Sequence, residues 1–188
     1  MNEVNSPKLF MLLLGCKPPG RNTEQHDIFF SIGTSLSALK PSIESFWPEN
    51  EGRMHIDSWR EVTAVDGFSI TIEKRDNNST PNQNKLFFIN LGGYKPNDPE
   101  EYHYKLLVVA PDKGKAVEAA KQTAFYKHCG FEDAVSHIDD KYGIDVDDIY
   151  EIEDVLPETI KNEYRIVIKP GAAEEDPLHI GYLKLSKL

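Results

Sequence analysis

Residues 8–33, KLFMLLLGCKPPGRNTEQHDIFFSIG, recur without a gap as residues 85–110, KLFFINLGGYKPNDPEEYHYKLLVVA. Gly15 meets Gly92, an offset of 77 residues. At that offset Lys8, Leu9, Phe10, Leu14, Gly15, Pro19, Glu24 and His26 each meet an identical residue. Self-similarity at one fixed period constrains a fold more than any local pattern, because each copy must be one structural unit. A unit of about 70–80 residues buries too little surface to be comfortable alone. The expected architecture is therefore α+β, with two tandem ββαββ-like repeats packed as a pseudo-twofold pair. The expected bounds are residues 1–75 for the first unit, 76–84 for a linker, and 85–188 for the second unit with a C-terminal strand extension.

The local patterns fill in that plan. Residues 9–14 form a short apolar run stopped by Gly15, the pattern of a buried strand. Pro18, Pro19, Gly20 and Asn22 then supply loop chemistry before a second strand over residues 25–33. Leu36, Leu39, Ile43, Phe46 and Trp47 recur at helical spacing, predicting a helix over 34–47 capped by Thr34 or Ser35. Pro41 is awkward there unless it lies in the first turn or introduces a kink. Strands over 54–63 and 68–73 flank Asp66-Gly67, a hairpin-turn pair. The polar stretch RDNNSTPNQN reads as the linker. In the second copy, a helix over 111–128 follows the two opening strands, with Gly130 as its C-terminal cap. Residues 150–155, 164–169 and 179–185 have the apolar content of strands.

Composition narrows the function classes. Lys and Arg number 21 against 31 Asp and Glu, a net charge of −10, so a phosphate backbone is repelled and nucleic acid is not an expected partner. The apolar run at 9–14 is far shorter than the ~20 residues of a membrane span. It has neither a basic leader nor a small-residue cleavage site, so it does not read as a signal peptide. Cys16 and Cys129 are too few for a disulfide scaffold, and cytoplasmic thiols are the expectation.

Each copy carries a pair of His/carboxylate motifs. Glu24-x-His26 and Glu101-x-His103 open the second strands; His55-Ile56-Asp57 and His137-Ile138-Asp139 form a second matched pair at an offset of 82, five residues longer. Residues i and i+2 of a strand share a face, so each motif presents a carboxylate beside an imidazole. Glu24, His26, His55 and Asp57, and likewise Glu101, His103, His137 and Asp139, are candidate ligands for a borderline divalent metal. The plainer reading makes the histidines structural hydrogen-bond nodes, since His26 shares parity with Ile28, Phe30 and Ile32. Convergence of all four residues is expected to fail in at least one copy, where the five-residue insertion alters the surroundings. Gly15 and Gly92 read as strand-end glycines. Asp139, Asp140, Asp145, Asp147 and Asp148 read as a solvated acidic loop, lacking the glycine and glutamate of a calcium loop. No hydrolase triad or phosphate-loop motif is present.

Leu9, Leu14, Gly15, Pro19, Glu24, His26, Asp27 and Phe30, with His55-Ile56-Asp57 and Val65-Asp66-Gly67, form a pattern that resembles a bacterial family of uncharacterised proteins. Its members carry one or two copies of a small domain of unknown function. The second copy departs from the pattern at Tyr104 and Leu107, which replace Asp27 and Phe30. The resemblance implies an intracellular bacterial protein and a small α/β unit, with no activity attached. The leading expectation is a non-enzymatic binding or interaction module with no cofactor, recognising a protein or small molecule and compatible with homo-oligomers. The first alternative is a metal-dependent enzyme using Glu-x-His and His-x-Asp. The second is a small-molecule site between the repeats.

Overall fold

The apolar run near the N-terminus is explained by its place in the middle of a sheet. In the computed structural model, which describes residues 6–76, 80–94, 99–123, 144–171 and 174–188, strand β1 (Lys8–Cys16) lies between β2 (Gln25–Gly33) and β3 (His55–Val62), antiparallel to both. Its residues are buried or half-buried at successive positions, which calls for an apolar run rather than strict alternation. Phe10, Leu12, Leu14 and Cys16 point to one face and pack with Phe29, Leu39, Ile43, Met54, Ile56 and Leu185. Helix α1 (Lys40–Phe46) contributes Ile43 to that cluster. It is shorter than the predicted 34–47: Ser37–Leu39 is a tighter 3-10 turn, and Ser35 Oγ accepts from Ala38 N. Pro41 falls in the first turn of α1, where its missing N–H costs no intrahelical bond.

A second sheet follows. Strands β4 (Ala64–Val65) and β5 (Phe68–Lys74) form a hairpin across Asp66-Gly67, whose φ values of 53° and 78° suit the tight turn expected there. β5 does not join the sheet of β1. It pairs along its whole length with β9 (Tyr164–Pro170), giving the order β4-β5-β9.

Residues 81–155 hold the second β-β-α-β arrangement. Strand β6 (Lys85–Tyr94) lies between β7 (Glu101–Ala110) and β8 (Ile144–Glu151). Helix α2 (Lys113–Ala120) follows β7, with the Asp112 carboxylate accepting from Lys115 N at 2.9 Å as an N-terminal cap. Ala116 and Ala120, one helical turn apart, are fully buried against Phe87, Ile89, Leu91 and Val108. The helix expected to run to residue 128 stops at Ala120, and residues 121–123 form a turn; Gly130 and the His137-Ile138-Asp139 motif lie outside the described residues. The strand expected at 150–155 ends instead at Glu151; Ile152–Val155 forms a helical turn (α3), and α4 (Glu158–Glu163) starts after Pro157.

The chain divides into two compact units, Met1–Thr80 with Leu156–Leu188, and Pro81–Val155. β9 and β10 (His179–Lys184), grouped by sequence with residues 85–188, hydrogen-bond to β5 and β3 of the first unit instead. The reason is the unfilled edges: β3 and β5 would otherwise present unpaired backbone groups to solvent. Asp176 fastens the crossing segment, accepting from Thr63 N at 2.7 Å and from Ala64 N at 2.9 Å. The first sheet thus has the order β10-β3-β1-β2.

Candidate metal centre

The antiparallel register places His26, Gly15 and His55 in one row across three strands, with Gly15 in the middle. Side chains in such a row share a face. The glycine leaves a gap between the two imidazoles. One residue further, the β1–β3 register slips: Leu14 pairs with Ile56 and Leu13 with Ser58, so Asp57 is the extra residue of a bulge. A bulge re-aims a side chain, and here it carries Asp57 to the same place. Glu24 arrives from the residue before β2, two positions ahead of His26 and on its face.

Glu24, His55 and Asp57 meet, and His26 lies beside them at the edge. His55 Nε2 lies 2.8 Å from Glu24 Oε1 and 3.2 Å from Asp57 Oδ1. His26 Nε2 lies 3.2 Å from Asp57 Oδ2 and 3.9 Å from Glu24 Oε1. Glu24, His55 and Asp57 each offer a ligand atom, all within 4.8 Å of one another. Side-chain exposure is graded: 8% for His55, 29% for Asp57, 43% for Glu24 and 47% for His26. His26 therefore stands at the open rim, beyond the half-buried Ile28 and the buried Phe30 and Ile32. The exposed ring of Tyr182 from β10 lies tilted against His55, with ring centroids 4.1 Å apart.

Two details distinguish this cluster from a structural hydrogen-bond node. Asp57 Oδ2 is buried and makes no hydrogen bond among the described residues, although His26 Nε2 is near. A buried carboxylate oxygen left so is costly unless something positive joins it. The other detail is Gly15. A Cβ built there would lie 2.7 Å from Glu24 Oε1, 2.8 Å from Asp57 Oδ2 and closer still to His55 Nε2. Gly15 thus lies within β1, and its glycine answers to the donors crowding over it rather than to a strand end.

In the second unit Glu101, His103 and Asp147 come together. His103 and Glu101 are where the sequence puts them. Asp147 is not: the expected partners His137 and Asp139 lie outside the described residues, and the sequence around Asp147 reads as an acidic loop. It stands in strand β8. The available signal was Ile144-Asp145-Val146-Asp147, where apolar residues alternate with acids at strand spacing.

Cys16 is next to Gly15 but faces the opposite, helix-covered side and belongs to the core cluster. Burial raises its thiol pKa above the usual range; Arg53 opposes this and Glu24 adds to it. A buried thiol held protonated is a poor nucleophile. Cys16 is expected to resist maleimide in the native protein at neutral pH and to react on addition of denaturant. Peptide mass spectrometry reads this, and rapid native labelling would show that the cluster opens.

Comparison with known proteins adds a family match and a structural neighbour. Residues 21–72 match the family model described as Domain of Unknown Function (DUF1543). That segment contains Glu24, His26, His55 and Asp57. No curated protein matches the chain. The crystal structure of protein Il1583 from Idiomarina loihiensis is similar in fold, with a TM-score of 0.64 at 23% identity. The match covers 95% of this chain and 97% of that one. No helix among the described residues is long and apolar enough to cross a membrane.

Proposed function

We propose that the first unit is a divalent-metal-binding module, with Glu24, His55 and Asp57 as ligands and His26 as the fourth donor at the open rim. The observation that carries this reading is the convergence of two imidazole nitrogens and two carboxylates above a glycine that has no room for a methyl group. Two nitrogens with two oxygens suit zinc and its neighbours, which are bound at about 2.0–2.2 Å by such ligands. The matched register of β2-β1-β3 and β7-β6-β8 supports a second element of the reading, that the two units arose by duplication of one β-β-α-β segment.

The open side at His26 and Glu24 favours a labile outer position over a sealed structural site, since structural zinc sites are closed. A metal there would hold water or a small ligand beside the His26 ring. This keeps metal-dependent hydrolysis as a second reading, carried by that exposure alone.

The test is metal titration of protein purified without a histidine tag and stripped with chelator. Cobalt(II), followed by its visible absorption, is expected to saturate in the wild type. Glu24→Gln combined with His55→Ala should remove the tetrahedral-type spectrum while circular dichroism stays native. A wild-type protein that gives no such spectrum would sink the proposal, as would a double variant that keeps it.

A further inference from the structure

We propose that the second unit holds its own cation, bound by Glu101, His103 and Asp147 over Gly92, and that this site prefers a harder ion than the first. The backbone of the second sheet repeats the device that builds the first site. Gly92 pairs with His103 on one side and Asp145 on the other, as Gly15 pairs with His26 and His55. The register slips between Asn90 and Leu91, the same step at which it slips between Leu13 and Leu14. Asp147 is therefore the bulged residue of β8, as Asp57 is of β3. Two bulges at one equivalent step, each turning an aspartate over a glycine, are a construction for placing that carboxylate.

The donors converge as they do in the first unit. His103 Nε2 is 3.3 Å from Asp147 Oδ2 and 3.8 Å from Glu101 Oε2, and the three residues offer ligand atoms within 4.8 Å of one another. A Cβ on Gly92 would collide with the Asp147 carboxylate, with Oδ1 at 2.8 Å and Oδ2 closer. The glycine is needed for the carboxylate to lie where it does. All three side chains are exposed, so an ion could reach them directly from water.

Among the described residues, the sites differ at one strand position. The place filled by His55 in β3 is filled by Asp145 in β8. The second unit's described donors are one imidazole and two carboxylates, against two and two in the first. Carboxylate-rich sets favour manganese and magnesium, whereas imidazole favours zinc and copper. The chain would therefore carry two ions of unlike chemistry on two similar sheets.

The experiment uses the full chain with the first site disabled by Glu24→Gln and His55→Ala, titrated with manganese(II) and followed by electron paramagnetic resonance. One bound manganese per chain is expected. Adding Asp147→Asn or His103→Gln should weaken it by more than about tenfold, with circular dichroism unchanged. If Asp147→Asn disturbs the fold, His103→Gln serves alone. No manganese bound by the Glu24/His55 variant, or binding indifferent to both further substitutions, overturns the inference. The two sites fail independently: a wild type that binds one cobalt and a disabled chain that binds nothing leaves only the first, while manganese binding without cobalt binding at the first site leaves only the second.

Discussion

Gly15→Ala is expected to abolish metal binding by the first unit. The added methyl group would stand 2.7 Å from Glu24 Oε1 and 2.8 Å from Asp57 Oδ2, closer than real Cβ atoms approach other atoms. Metal–ligand bonds of ~2.0–2.2 Å require the ion to sit amid those same atoms, so methyl and ion compete for one volume. Glu24, which is half-exposed, can swing away. His55 has less room to do so, because it is buried and its ring packs against that of Tyr182. Overpacking of this kind costs about 1–3 kcal/mol, so a lower Tm should accompany the lost site. Metal content by mass spectrometry of the purified variant, with a thermal melt, checks both. Wild-type metal content in Gly15→Ala would show that the ion, if any, sits elsewhere.

A second large effect is expected from cutting the chain. A fragment ending at Thr80 keeps β1 to β5 but loses β9 and β10, and it should not fold. It gives up the burial of Leu156, Ile166, Val167 and Leu185. At ~1.5–3 kcal/mol for each fully buried apolar side chain, that is ~6–12 kcal/mol, comparable with the ~5–15 kcal/mol that holds a whole domain together. Residues 81–155 replaced by a short flexible linker should restore folding. The segments that flank the cuts are joined: Arg75 N donates to Glu163 O at 2.8 Å, and Arg165 Nη1 donates to Thr80 O at 3.1 Å. Far-UV circular dichroism and urea titration of both proteins decide this. Cooperative unfolding of the 80-residue fragment would mean that the C-terminal strands are an accessory rather than part of the unit.

What could be read from the sequence, and what could not, follows from the range of the forces involved. β1, β2, β6 and β7 were legible because their burial imposes apolar runs, and the Asp66-Gly67 turn because only a few residue types accept two positive φ values. Glu24, His26, His55 and Asp57 were legible as candidates from their spacing alone. Their meeting was not, since it depends on a bulge opposite Leu13 and Leu14 that leaves no mark on hydrophobic periodicity. The same invisibility hid Asp147, whose acidic neighbours look like a solvated loop until β8 is seen beside β6. The partners of β9 and β10 were hidden for another reason. A strand's pattern states which face is buried but not which edge it joins, and nearness in sequence pointed to the second unit.

That placement of β9 and β10 also sets an order in time. Lys74 and Tyr164 pair in the finished sheet but are 90 residues apart in the chain. At a synthesis rate of ~5–20 residues per second, roughly 5–20 s separate their emergence from the ribosome. The residues made in that interval include all of Pro81–Val155, a contiguous unit that can complete itself while translation continues. The first-made strands cannot. Until Leu183 and Lys184 are made, β3 waits with a bare edge, and His55 waits without the tyrosine ring that will pack against it. The half that starts first is the half that finishes last, and during that wait its open edges are where a nascent chain would need a chaperone.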